Sequence, residues 1–164
     1  MKHLKYLLVG GLVLIMASSY TTKTSTVFDG IYPGNRMPDI AFSDESGNKT
    51  NLSELKGQKI LVNFWAAYDA DSHMKNVLLW NTLRKADLGV KMISVSFDQS
   101  RSVFEKTLRI DGLMDSQSQF CETLGKNSDI FKDYKLENGF KNYLIDENGI
   151  ILAINVNPAD LSKY

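Results

Sequence analysis

What this sequence lacks narrows its chemistry first. It has 164 residues and one cysteine, Cys121. A single thiol cannot close an intramolecular disulfide, so the chain is not a disulfide-stapled scaffold. Its length supplies a hydrophobic core large enough to do without one. Histidine is nearly absent, with only His3 and His73, so no strong zinc signature can be assembled. There is no excess of basic charge: 19 Lys and Arg balance 19 Asp and Glu. That excludes the electrostatic footprint of a nucleic-acid-binding protein. The longest apolar run, Leu7 to Ala17, has 11 residues, well short of the roughly 20 that span a bilayer.

What is present fits a globular domain, with 43% hydrophobic and 23% charged residues. The first residues stand apart. Lys2 and Lys5 precede the apolar run, and the small residues Ala17 and Ser19 follow it, the layout of a secretory signal over residues 1–19. The expectation is an exported protein, periplasmic or extracellular, with no membrane attachment once the segment is cut; the alternative is that the segment stays on as an uncleaved anchor. Losing those residues removes two lysines and no acid, leaving the chain mildly acidic. Residues 20–29, rich in Thr and Ser, read as a flexible lead-in, and the domain is expected over residues 30–164.

Within the domain, turn signals at Pro33-Gly34 and Ser46-Gly47-Asn48 predict a β-hairpin with strands at Ile40–Phe42 and Thr50–Leu52. Lys59–Ala67 and Lys91–Phe97 are β-branched and aromatic runs that read as buried strands. A helix is predicted from about Asp71 to Lys85, with Met74, Val77, Leu78, Trp80 and Leu83 as its apolar positions. A second is capped by Ser100 and runs to Ile110, with Val103, Phe104 and Leu108 on one face. A short helix follows from Ser128 or Asp129 to Tyr134. Two apolar runs then flank Asp146-Glu147-Asn148-Gly149, a hairpin turn, and Pro158 opens a last helix. Strand–helix alternation in the middle and a hairpin at the end predict an α/β domain. Its central mixed β-sheet carries helices on both faces, with an N-terminal β-hairpin.

The stretch NFWAAYDADSHMKN, Asn63 to Asn76, carries the chemistry of interest. An apolar strand ends at Trp65 and a helix begins a few residues later. With Lys91–Asp98 followed by Phe104–Gly112, and with FKNYLIDENG at Phe140–Gly149, it resembles the thioredoxin-like TlpA/ResA group of AhpC/TSA redoxins. The resemblance covers about Gly30 to Tyr164. It implies a thiol–disulfide oxidoreductase site at the start of the first helix. It also places that family's two cysteines on Asp69 and Ser72, the aromatic before them on Tyr68, and the facing cis-proline on Phe140.

None of the residues that resemblance would make reactive is present. An aspartate can carry a thiolate's charge at a helix N-terminus, but it cannot form an S–S bond. A serine hydroxyl needs a base, and none is evident in the sequence. The expectation is therefore no catalytic residue, no metal and no cofactor. Any function would be binding, of a protein or peptide, at the face marked by Tyr68, Asp69, Ser72, His73 and Phe140. Asp69-x-Asp71-x-His73 offers a metal or acid–base alternative, although its spacing matches no strong zinc pattern and the plain reading is helix capping. Phe140 reads either as a plug in the groove or as an exposed anchor. Cys121 reads as a small half-buried hydrophobe, the alternative being a single working thiol in redox homeostasis.

Overall fold

The computed structural model describes residues 27–43, 49–114 and 118–164. The predicted signal segment, most of the lead-in and the Ser46-Gly47-Asn48 turn lie outside the described residues. Ten regular elements follow one another: β1 (Ala41–Ser43), β2 (Lys49–Asn51), β3 (Lys59–Trp65), α1 (Ala70–Lys85), β4 (Val90–Ser96), α2 (Arg101–Asp111), β5 (Gln119–Cys121), α3 (Asp129–Asp133), β6 (Asn142–Ile145) and β7 (Ile151–Ile154). β1 and β2 form the N-terminal antiparallel pair, one residue out of step with the predicted strands. The other five make one sheet in the order β5-β4-β3-β6-β7. β3, β4 and β5 run parallel, while β6 and β7 run antiparallel, as hairpin-joined strands must.

Alternation along β3 builds both layers. Ile60, Val62 and Phe64 point to one side, where they pack with the hairpin's Phe42 and with Phe131 and Tyr134 at α3. Leu61 points to the other side against Leu79 of α1, and Trp65 packs there with Phe104 and Leu108 of α2. The expected mixed sheet with helices on both faces is present. α2 ends at Gly112, whose φ of 71° lets its N–H reach back to the Leu108 and Arg109 carbonyls. A side chain with a Cβ would be strained in that left-handed conformation.

Several predicted details are corrected. The last helix is a 3₁₀ segment, Pro158–Lys163, capped by the Asn157 side chain accepting from the Ala159 N–H. β5 was not predicted at all: three residues, none fully buried, leave no hydrophobic pattern to read. In α1, Met74 and Leu78 are exposed, whereas Ser72, Asn76 and Leu79 are buried. The reason is polar. Asn76 lies over Asn63 and Ser94 of the sheet, accepting from Asn63 Nδ2 at 3.0 Å and from Ser94 Oγ at 2.6 Å. A helix whose buried face carries hydrogen bonds loses the apolar stripe that would identify it. Val103 of α2 is likewise exposed, leaving Phe104 and Leu108 as that helix's core contacts. Among the described residues, no helix is long and apolar enough to cross a membrane.

Candidate functional site

The β3–α1 junction sets the geometry. β3 ends buried at Trp65, and Ala66 to Asp69 turn the chain into α1, with the Asp69 N–H donating to the Ala66 carbonyl. Asp69 is the N-cap of α1. Its backbone is extended and its Oδ1 accepts from the Ser72 N–H at 2.9 Å. The Ser72 hydroxyl donates to the Asp69 carbonyl at 3.2 Å and accepts from the Ala66 N–H at 3.4 Å. Both side chains at the positions of special interest are thus bound up in closing the helix end. Ser72 is buried.

His73, in the first turn of α1, is half-buried. Its ring stacks on the buried Trp65, with centroids 5.5 Å apart, and its Nε2 lies 2.6 Å from Asp111 Oδ2 at the end of α2. The pair ties the first turn of α1 to the last turn of α2. Asp71 is exposed in the first turn, where its charge complements the helix dipole. The metal alternative built on Asp69, Asp71 and His73 is therefore not assembled. Among the described residues no three metal-ligating acidic, His or Cys side chains converge.

Phe140 is half-buried in an aromatic cluster at the edge of the core. Its ring stacks on Phe97 at 5.9 Å, meets Phe131 edge-on at 6.2 Å, and stands 6.2 Å from the Tyr68 ring. No peptide bond among the described residues is cis, the one before Phe140 included. Tyr68, by contrast, is 59% exposed. Its phenol is held above its ordinary pKa, first by partial burial and then by the negative charges of Asp98 and Asp69.

Asp98 is the residue that sequence reasoning missed. It lies just beyond β4 and is buried. The Ala67 N–H donates to both of its carboxylate oxygens, at 2.9 and 3.1 Å, and the Ser96 hydroxyl donates to Oδ2 at 2.6 Å. Ser96 Oγ in turn accepts from the Asp98 N–H at 3.1 Å. The carboxylate thus clamps the β3–α1 turn to the end of β4 and holds Tyr68 in place. An aspartate directly after a buried strand, two residues beyond a serine, was the available signal.

Beside this junction lies an open cleft of about 760 Å³. It is lined by Tyr68, Phe97 and Asp98, by Val103 and Thr107 of α2, and by Lys126. A separate cavity of about 170 Å³, lined by Met37, Leu52, Ile60 and Ile145 among others, touches none of the five candidate residues.

Cys121 sits in β5, half-buried, and its Sγ donates to the Asp98 carbonyl at 3.4 Å. Burial pushes its pKa up to about 11, with Arg101 opposing only in part. At neutral pH roughly one molecule in ten thousand would carry the thiolate that disulfide exchange requires.

Comparison with known proteins agrees with this architecture. Thioredoxin-like protein YneN of Bacillus subtilis is 27% identical over 153 residues, covering 90% of this chain and 88% of its own. Thiol-disulfide oxidoreductase ResA of the same organism is 24% identical over 147 residues, covering 87% and 79%. The crystal structure of a thioredoxin-like protein from Parabacteroides distasonis superposes with a TM-score of 0.71 at 39% identity, over 84% of this chain and 97% of that one. The Redoxin family model matches residues 32–164, from ahead of β1 to the last residue, and the chain belongs to the Redoxin family.

Proposed function

We propose that this Redoxin-family protein performs no thiol–disulfide exchange and acts as a binding module through the face around Tyr68. One observation carries the reading. At the start of α1, the Asp69 carboxylate and the Ser72 hydroxyl are both spent on the helix end, while Tyr68 stays exposed beside an open cleft. Exchange needs an accessible thiolate and a second sulfur to resolve the mixed disulfide. The chain's single cysteine is half-buried, with its thiol pushed up to about 11, so the single-thiol alternative is the weaker one.

The test is reduction of a disulfide-bonded protein substrate in dithiothreitol, by the protein and by Cys121→Ser. Both should run at the uncatalysed rate. Turnover that survives Cys121→Ser overturns the loss of exchange, and turnover that disappears with it supports the single-thiol alternative.

The same reading includes export, supported by Lys2, Lys5, the apolar run from Leu7 to Ala17 and the small residues after it. N-terminal sequencing of protein recovered from the periplasm or medium should begin near Tyr20. An intact Met1 in the cytoplasmic fraction would overturn it.

A further inference from the structure

The cleft's charges are unequally committed, and the imbalance says what it would accept. Asp98, in its lining, is compensated by the Ala67 N–H and the Ser96 O–H, three contacts in all. Arg101, next in sequence to the cleft-lining Ser100 but not itself lining the cleft, faces Glu105 one turn on, at 3.9 Å. Lys126, which lines the cleft, is exposed and has no carboxylate within ion-pair distance among the described residues. Its Nζ lies 6.0 Å from the centre of the Tyr68 ring, a cation–π contact that keeps the ammonium over the cleft mouth. α2 adds to the same sign. Its N-cap Ser100 lines the cleft, shares a 2.9 Å hydrogen bond with the Ser102 hydroxyl rather than capping a backbone N–H, and is followed by a first turn with no acid.

The apolar part is just as specific. Tyr68 is 59% and Val103 46% exposed; both line the cleft, as does the buried Phe97. Exposed aromatic and aliphatic groups around an open groove are how proteins seat one anchoring side chain of a partner. An enclosed cavity would suit a free small molecule better; this cleft is open along its length.

We propose that the cleft takes a segment of a partner protein in which an apolar side chain neighbours a carboxylate. The apolar group lies between Tyr68, Phe97 and Val103, and the carboxylate reaches Lys126 Nζ. This rests on the binding reading above and adds the chemical class of the partner.

Selection from a displayed library of random decapeptides, on the immobilised protein with parallel panning on Lys126→Glu and Tyr68→Ala, tests it. The enriched sequences should place Asp or Glu beside Leu, Ile, Phe or Tyr. Synthetic peptides carrying them should bind at least tenfold less well to Lys126→Glu and regain affinity with Lys126→Arg. They should also weaken steeply between 50 and 500 mM salt, because an exposed charge contact is screened. Enriched peptides that need Tyr68 but carry no acid, or that ignore Lys126→Glu, overturn the acidic class and leave the binding face standing. If nothing is enriched on the protein over Tyr68→Ala, both readings fall. Circular dichroism confirms that each variant is folded.

Discussion

Replacing Asp69 with alanine separates a structural carboxylate from a functional one by the sign of the stability change. The structure assigns the carboxylate one clear task, accepting from the Ser72 N–H at 2.9 Å as the N-cap of a 16-residue helix. Loss of such a cap costs about 1 kcal/mol, within a usual range of roughly 0.5–2. The charge at the helix start adds about 0.3–1 kcal/mol, reduced by the half-exposed position. Asp69→Ala should therefore destabilise by about 1.5 kcal/mol, and Asp69→Asn, which keeps an acceptor without the charge, by about 0.5. For a domain of this size the first value lowers Tm by roughly 3–6 °C. Urea unfolding followed by far-ultraviolet circular dichroism measures both, and the m-value should not change. The informative failure is a gain. Groups held for ligand chemistry are commonly a burden on stability, so their removal stabilises. If Asp69→Ala were neutral or more stable than the parent, the carboxylate would not be committed to the helix. The account of a spent site would then be wrong.

Two further outcomes follow from the same geometry. Asp98→Ala removes the acceptor for both the Ala67 N–H and the Ser96 hydroxyl in a buried setting, and should cost about 3 kcal/mol in urea unfolding; a loss below about 1 kcal/mol would mean the clamp does not hold the junction. Cys121 reacts as its thiolate and its pKa is raised to about 11, so alkylation by iodoacetamide should keep rising about tenfold per pH unit through pH 9 and level off only near 11. A plateau between pH 8 and 9 would mark an ordinary accessible thiol and revive the single-thiol alternative. The same burial fixes the sign of its stability linkage. The folded state favours the neutral thiol, so this contribution is complete below the unfolded pKa of about 9 and declines as pH rises from there toward 11.

The parts of the fold that could be read in advance are those where apolar spacing alone decides the structure. β3 and β4 are buried on both faces over most of their length and read as runs rich in β-branched and aromatic residues, and Asp146 to Gly149 reads as a turn. α1 was misread in detail because its buried face is polar. Asn76 answers Asn63 and Ser94 across the layer, and a pattern search for apolar residues points to Met74 and Leu78, which face solvent. β5 escaped because three half-buried residues on an edge carry no period at all.

For the site, the limit was partnership rather than position. Tyr68, Asp69, Ser72, His73 and Phe140 do gather around one junction, but a sequence does not say which polar groups are already answered. Ser72 and Asp69 satisfy each other's backbone, His73 leaves for Asp111 thirty-eight residues away, and Phe140 is absorbed by Phe97 and Phe131. The two groups left with something to offer, Tyr68 and Lys126, come from different loops and are brought together only by the fold. Lys126, in a turn with no motif around it, has no signal that a single sequence could supply. Its importance comes from the absence of a counter-charge in space, and that is a property of the whole surface rather than of any stretch of chain. A redox site is legible because sulfur must be present in fixed spacing. A binding face built from leftover valence is defined by what its neighbours do not use, so it becomes visible only when every partner has been counted.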